Sequence, residues 1–265
     1  GDATLASAGE DGTIQLWRVI DGKLLRSILH PKGAHSVAFS PDGTMLVSGG
    51  ADRMVRLWRV MDGTQVFSIS GHTHSVEKVA FSPDGKSLVS GSADSTIRFW
   101  KASDGTSIQN IKGHTRAVEG LALSKTGKWI ASSSADLTVR VWEAFSGKQV
   151  RKFGDLAYFQ LARAKLAKDE KTLIAIASYS VQFWDVSTGT LLREKLVDTR
   201  TTDVWALSPD NTMIASASDD FIIKIWMLGD GSLIHTLKGH SKKVTSLIFG
   251  KQGTMLVSGS EDGTV

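Results

Sequence analysis

The sequence predicts an all-β protein built from a repeated unit of four short antiparallel strands. The unit is clearest between residues 71 and 112, where four apolar β-type runs are separated by Asp-Gly or Gly-rich turns. Such a unit leaves two edges and two faces exposed, so it needs neighbours. The neighbours are indicated by a tryptophan that recurs at spacings of 41 and then 42 residues, at Trp17, Trp58, Trp100, Trp142, Trp184 and Trp226.

Composition limits the classes of protein that the chain can belong to. Its 265 residues, 41% of them hydrophobic, suffice for a large core, and the even repeat favours one domain. A net charge of +4 is too mild to indicate nucleic-acid binding by itself. The absence of cysteine excludes disulfides and Cys-ligated metal and favours a cytoplasmic protein. No apolar run approaches the roughly 18 residues of a membrane-spanning helix.

The repeat divides the chain into seven units. The first, residues 1–29, lacks its first strand, and the last, residues 239–265, lacks its end. In the degenerate unit 155–196, the composition of Leu161 to Lys171 suits a helix, but the repeat register favours strands. The complete units are expected at 30–70, 71–112, 113–154, 155–196 and 197–238.

Each regular unit carries Gly-His near one end and Trp near the other, as in Gly71-His72 and Trp100. This pattern resembles the WD-repeat β-propellers, although only Trp184-Asp185 is a literal Trp-Asp pair. The resemblance covers the whole chain and implies a β-propeller of four-stranded antiparallel blades. We expect seven blades with incomplete first and last blades, or alternatively six. We also expect the chain to be a fragment of a longer repeat protein that carries other domains.

Three units place a His, a Ser, an Asp and a Trp in the same register. A Ser-His-Asp set can activate a nucleophile, which suggests a hydrolase. Repetition in every regular unit argues against this, because a catalytic site occurs once. In WD-repeat proteins this register resembles a structural hydrogen-bonded tetrad, so we predict no catalytic residue, no metal site and no cofactor. The predicted tetrads are His30, Ser48, Asp52 and Trp58; His72, Ser90, Asp94 and Trp100; and His114, Ser132, Asp136 and Trp142.

The turn position after the tetrad Asp suggests a binding face. Three consecutive units place a large apolar residue there, where other units have a polar residue or glycine. Exposed apolar residues rimmed by basic ones are typical of protein-binding hot spots. The alternative is that Leu137 or Phe221 packs inward. The predicted partner-binding face comprises Leu137, Tyr158, Phe159, Tyr179, Phe221, Arg116, Arg200 and Lys242.

The resemblance therefore predicts a non-enzymatic scaffold or sensor module that binds a protein or peptide on its loop-bearing face. A nucleic-acid-binding propeller is the first alternative, but Glu77, Glu119 and Asp203 share the loops that carry the basic residues. A hydrolase is the second, and it would need a polar cluster that is not repeated. We find none in the sequence.

Overall fold

The computed structural model describes residues 4–154, 163–167, 169–177, 180–196, 204–250 and 252–265. Every regular element in these ranges is a β-strand, and all strand pairs are antiparallel. The predicted all-β class is confirmed. None of the described segments forms a helix long and apolar enough to cross a membrane. The chain divides into two compact units, Gly1–Asp155 and Leu156–Val265.

The first unit contains four sheets whose strands follow one another in chain order. Sheet 1 has three strands, β1 (Thr4–Ala8), β2 (Thr13–Arg18) and β3 (Lys23–Leu29). Sheet 2 comprises β4 (Ala34–Phe39), β5 (Met45–Gly50), β6 (Val55–Arg59) and β7 (Gln65–Ile69). Sheet 3 comprises β8 (Val76–Phe81), β9 (Ser87–Ser92), β10 (Ile97–Lys101) and β11 (Ser107–Ile111). Sheet 4 comprises β12 (Val118–Leu123), β13 (Trp129–Ser134), β14 (Val139–Glu143) and β15 (Gln149–Phe153).

The second unit contains three sheets of the same kind. Sheet 5 comprises β16 (Arg163–Leu166), β17 (Thr172–Ala177), β18 (Ser180–Asp185) and β19 (Leu191–Leu196), so the strand interpretation of this segment is confirmed. Sheet 6 comprises β20 (Trp205–Leu207), β21 (Met213–Ala217), β22 (Ile223–Met227) and β23 (Leu233–Leu237). Sheet 7 has two strands, β24 (Val244–Phe249) and β25 (Leu256–Ser260).

The number of strands bears on the number of blades. The described residues form five four-stranded sheets, one of three strands and one of two. These 25 strands are one more than six four-stranded blades would contain. The first and last sheets are incomplete, as expected, and the total number of strands supports the six-blade alternative of the prediction.

Within the first unit, the tryptophans of sheets 2, 3 and 4 fill the space between their own sheet and the preceding one. Trp58 of sheet 2 packs in one cluster with Ile14 and Leu16 of sheet 1. Trp100 of sheet 3 packs likewise with Val47 and Leu57 of sheet 2. Because each sheet buries its faces against its neighbours, the repeat of tryptophan in the sequence is a repeat of these contacts.

In sheets 3 and 4 the glycine of the Gly-His pair lies against the tryptophan of its own sheet. A Cβ atom on Gly71 would lie 2.7 Å from Trp100 Cη2, and one on Gly113 would lie 2.6 Å from Trp142 Cη2. No side chain fits at such distances. Glycine is therefore required at these positions because the backbone approaches the indole ring closely.

β-bulges shape both edges of the sheets. In each outer hairpin a register shift lies just before the tryptophan, as between Phe99 and Trp100, and the extra residue on the outer strand there is Ile108. In the first strands of sheets 2, 3 and 4 the shifts leave His35, Glu77 and Glu119 unpaired in the ladder. A bulge re-aims the side chain that it carries, so these three residues mark the ends of neighbouring inner strands.

Candidate binding face

The face proposed for binding is formed by two kinds of connection that emerge at one end of the sheets. These are the loops that join one sheet to the next and the turns between the second and third strands of a sheet. In sheet 3 they are linked by the bond from Ala93 N to Ser75 O, 2.9 Å long. The bond from Ala135 N to Ala117 O, also 2.9 Å, links them in sheet 4. We call this end the turn face; in the first unit it comprises residues 30–33, 51–54, 70–75, 93–96, 112–117 and 135–138.

The turn residue that follows the tetrad Asp has a left-handed backbone in every described repeat. Its φ angle is 83° at Gly12, 70° at Arg53, 69° at Ser95, 63° at Leu137, 65° at Phe221 and 81° at Gly263. Glycine adopts this conformation freely, whereas a large side chain is strained in it. Leu137 is nonetheless 46% exposed and Phe221 37% exposed. Neither side chain packs fully inward, so their strain is not offset by complete burial.

Beneath the turn face, sheets 3 and 4 contain buried polar networks. In sheet 3, His72 Nδ1 lies 2.8 Å from Asp94 Oδ2, and His72 Nε2 lies 2.7 Å from Ser90 Oγ. Trp100 Nε1 donates to the same hydroxyl over 2.8 Å. Because a carboxylate only accepts and an indole N–H only donates, Nδ1 donates to Asp94 and the Ser90 hydroxyl donates to Nε2. The three residues and the tryptophan thus form one chain of hydrogen bonds.

Sheet 4 repeats this arrangement with close to the same geometry. His114 lies 2.8 Å from both Asp136 Oδ2 and Ser132 Oγ, and Trp142 Nε1 donates to Ser132 over 2.8 Å. The carboxylate also accepts from the backbone N–H of Thr115 and from the hydroxyl of Thr138. The serine hydroxyls in both sheets are almost completely buried. A nucleophile needs access to substrate, so this geometry does not favour the hydrolase alternative.

The network carboxylates are held in their ionised form. Burial acts to raise the pKa of Asp136, but hydrogen bonds from Thr138, His114 and the Thr115 backbone outweigh it and lower the pKa to about 2. The same balance of burial against donated bonds holds the pKa of Asp94 well below its ordinary range. Burial is also the main reason that the pKa of His114 is lowered, although Asp136 opposes it.

We therefore expect the free energy of unfolding to decrease as the pH falls from 7 to 5. The pKa of His114 lies below its ordinary value of 6.5, so in this range the unfolded chain binds a proton that the folded chain does not. The effect is at most about 1.4 kcal/mol per pH unit for one histidine. Denaturant titrations at several pH values measure it. The slope should become smaller in His114→Gln, and a stability that rises towards pH 5 would contradict the assignment.

The predicted tetrad in sheet 2 is connected differently. Trp58 Nε1 donates to Ser48 Oγ over 2.7 Å, but His30 bonds to neither Ser48 nor Asp52. Instead the buried Arg56 lies 2.5 Å from Asp52 Oδ2 and 3.3 Å from His30 Nε2. The expected four-residue chain is thus interrupted by an arginine.

Two substitutions in the sequence explain the change. Sheets 3 and 4 place Thr73 and Thr115 after the histidine, and their backbone N–H groups donate to the carboxylate. In sheet 2 this position is Pro31, which has no N–H. Met54 stands where sheets 3 and 4 have a threonine hydroxyl donor. Arg56 therefore pairs its charge with Asp52 in the place of these two donors.

The other sheets hold parts of the same network. In sheet 7, His240 lies 3.0 Å from Asp262 Oδ2 and 2.8 Å from Ser258 Oγ. Among the described residues, sheets 1 and 6 show the tryptophan-to-serine bond of the network: Trp17 to Ser7 measures 3.0 Å, and the bond in sheet 6 measures 3.3 Å. The His-Ser-Asp register therefore recurs in both units, as a structural feature would.

The eight residues predicted for partner binding are only partly placed. Leu137 and Arg116 belong to the turn face of the first unit, and Arg116 is exposed. Phe221 and the exposed Lys242 lie on corresponding connections of the second unit. The remaining four, Tyr158, Phe159, Tyr179 and Arg200, lie outside the described residues. The aromatic cluster thus stays a prediction.

Three turn-face residues of the first unit were not part of the predicted site. Lys32 and His74 occupy the same loop position as Arg116, at intervals of 42 residues, and Arg53 lies on the adjacent turn. All four side chains are exposed. The signal that would have identified them is the repeat itself, applied to loop positions rather than to buried ones. In the described parts of the chain, no group of three or more His, Asp or Glu side chains is arranged to hold a metal ion.

Comparison with known protein families agrees with this architecture. The family described as "WD domain, G-beta repeat" matches five segments that together cover more than half of the chain: residues 22–59, 63–101, 105–143, 193–227 and 231–265. The chain belongs to the WD-repeat family. Proteins of this family are generally scaffolds that bind other proteins, and the predicted resemblance is confirmed.

Individual relatives match shorter segments of the WD repeats. COMPASS component SWD3 of Saccharomyces cerevisiae is 32% identical over 103 residues, which are 38% of this chain and 32% of that protein. The apoptotic protease-activating factor 1 of Rattus norvegicus is 32% identical over 101 residues, 38% of this chain and 8% of that protein. Nuclear distribution protein PAC1 of Tuber melanosporum is 48% identical over 62 residues, 23% of this chain and 14% of that protein. The matched segments span a third or less of each of these relatives.

Proposed function

We propose that this chain is a non-enzymatic scaffold or sensor module that binds a protein or peptide on its turn face. The observation that carries the proposal is the pair of large apolar side chains at left-handed turn positions, Leu137 and Phe221, which stay substantially exposed. A strained backbone and an exposed apolar side chain each cost free energy in the isolated chain. A binding partner that covers such a side chain, in either unit, would account for both costs.

The networks beneath the face support this function by making it rigid. Asp94 accepts a hydrogen bond from the backbone N–H of Thr73 and another from that of Thr96, so one carboxylate joins a loop to a turn. Asp136 joins the corresponding loop and turn of sheet 4 through Thr115 and Thr138. A face that is ordered before binding loses less conformational entropy when it binds.

The two alternative functions receive less support. A polyanion such as nucleic acid bound on this face would lie near the negatively charged Glu77 and Glu119, which would repel it. Both residues mark the ends of neighbouring inner strands. A hydrolase would need an accessible serine, whereas Ser90 and Ser132 are buried within repeated networks. Cofactor-free binding in the cytoplasm, as one module of a larger protein, is the most consistent proposal.

Replacement of both strained residues, Leu137→Gly with Phe221→Gly, separates binding from stability. Glycine relieves the left-handed strain, so the free energy of unfolding should stay unchanged or rise by up to about 1 kcal/mol. Affinity for a partner peptide should fall about tenfold or more, because an exposed apolar anchor is lost. The peptide is obtained by selecting a displayed random-peptide library on the chain, and its affinity is measured by fluorescence anisotropy.

Met61→Ser serves as the matched control for this experiment. Met61 is 78% exposed but lies on the hairpin between β6 and β7, at the other end of the sheet. This variant should keep both its stability and its affinity for the peptide. A marked loss of stability in the double glycine variant, with peptide binding intact, would instead identify Leu137 and Phe221 as packing residues.

A further inference from the structure

We propose that the turn face of the first unit receives an acidic peptide segment of a partner protein through a basic rim. The basic rim consists of Lys32, Arg53, His74 and Arg116. This inference rests on the proposed function and adds the chemistry of the partner to it.

The repeat places these cations at equivalent positions. Lys32, His74 and Arg116 are 42 residues apart and occupy the same position in three successive loops. Sheets 2, 3 and 4, which follow these loops, pack against one another in the first unit. The basic rim therefore extends over neighbouring sheets, with Arg53 on the turn of sheet 2.

The backbone that carries the rim is held by hydrogen bonds. Ser92 Oγ donates to the carbonyl oxygen of His74 over 3.2 Å, and Ser134 Oγ donates to that of Arg116 over 3.0 Å. The backbone N–H of Ala51 donates to the carbonyl oxygen of Gly33, next to Lys32, over 3.3 Å. The side chains are thus presented from ordered backbone, which reduces the entropy that a bound anion must remove.

Pairing of charges differs between the two ends of the first unit. On the hairpins opposite the turn face, Arg18 pairs with Asp21 at 3.1 Å and Arg59 pairs with Asp62 at 3.2 Å. Among the residues that the structure describes, Lys32, Arg53 and Arg116 form no such ion pair. Charges that are neutralised within the chain add little to recognition, whereas unpaired ones attract an oppositely charged partner.

The acidic residues nearby restrict the kind of anion that fits. His35 Nδ1 lies 3.2 Å from Glu77 Oε2, and Ser75 donates to the other oxygen of the same carboxylate over 2.5 Å. Glu119 occupies the equivalent bulge on the next inner strand. These carboxylates disfavour a continuous polyanion across the inner strands. A peptide can place its acidic side chains on the rim and an apolar side chain on Leu137, which shares sheet 4 with Arg116.

The second unit shows the same local arrangement. Lys242 occupies the loop position equivalent to Arg116, and Ser260 Oγ donates to its carbonyl oxygen over 3.1 Å. A serine-held basic residue is thus a property of the repeat rather than of one sheet.

The experiment sequences the peptides that a displayed random library yields on the full chain, and then measures the affinity of one enriched peptide. Enriched peptides should carry an excess of Asp and Glu. The rim variant Lys32→Gln, Arg53→Gln, Arg116→Gln should bind the peptide about tenfold or more weakly. Each exposed ion pair contributes a few-fold to the affinity, and the loss of three such pairs multiplies these factors. Binding to the unchanged chain should weaken as salt is raised.

The matched control removes three exposed lysines from the opposite end, as Lys23→Gln, Lys86→Gln, Lys125→Gln. Its affinity should change less than about twofold, because only general attraction is lost. Equal losses in the two variants, or enriched peptides without an acidic excess, would overturn the inference. If the acidic-peptide inference were overturned but peptide binding still required Leu137, the proposed function would remain supported without it. If the library yielded no enriched peptide, both the proposed function and this inference would fail. Stronger binding of a single-stranded oligonucleotide than of the peptide would also overturn it.

Discussion

We expect Asp94→Ala to lower the free energy of unfolding by about 3 kcal/mol. The carboxylate accepts from His72 Nδ1, from the backbone N–H groups of Thr73 and Thr96 and from the Thr96 hydroxyl. Its side chain is only 5% exposed. Water has little access to replace it, so the substitution leaves the buried His72 and the partly buried Thr96 without an acceptor. Urea unfolding followed by tryptophan fluorescence measures the loss.

Asp11→Ala is the control in the same unit and the same register. Asp11 accepts only from the backbone and hydroxyl of Thr13, and it is exposed. No histidine among the described residues contacts Asp11, so the loss should stay below about 1 kcal/mol. Similar losses in both variants would mean that the carboxylate acts only through its own turn and that the histidine network contributes nothing.

The second large effect is expected for Gly113→Ala, which should cost about 2 to 3 kcal/mol. The added methyl group would lie 2.6 Å from Trp142 Cη2 and 2.9 Å from Arg140 Nη1. Arginine can move aside, but the indole is 2% exposed and belongs to a buried apolar cluster. Either the ring or the loop must therefore shift, and the hydrogen bond from Trp142 to Ser132 weakens with it. The midpoint of thermal or denaturant unfolding measures the change.

Gly239→Ala tests the cause of this loss. Gly239 precedes His240 in the same Gly-His register, but no atom lies within 4 Å of the position that a Cβ would occupy. Alanine should be accepted there with a change of less than about 1 kcal/mol. Gly239 also lacks the positive φ of 158° that Gly113 has, so equal losses in Gly239→Ala and Gly113→Ala would mean that neither the contact with the tryptophan nor this φ is the reason for glycine.

Much of the buried framework could be predicted from the sequence. The 42-residue recurrence of tryptophan, the Asp-Gly turns and the short apolar runs predicted four-stranded antiparallel sheets, because turn chemistry and strand alternation are local properties. The register also predicted which histidine, serine and aspartate would meet in sheets 3 and 4. Even the altered network of sheet 2 had a local signal, since Pro31 and Met54 remove two donors that the other repeats supply.

The tertiary structure alone decided how these side chains are connected and where they point. Arg56 joins His30 and Asp52 because the loop before sheet 2 folds onto that sheet, and the sequence does not reveal which side chain fills the space left by a missing donor. Likewise, Leu137 was recognisable as an unusual turn residue, but only the backbone shows that it is strained and still exposed. The sequence repeat places the cations of the basic rim at equivalent loop positions, but only the structure shows that Lys32, Arg53 and Arg116 form no ion pair with the described residues, because pairing of charges depends on distances between segments far apart in the chain.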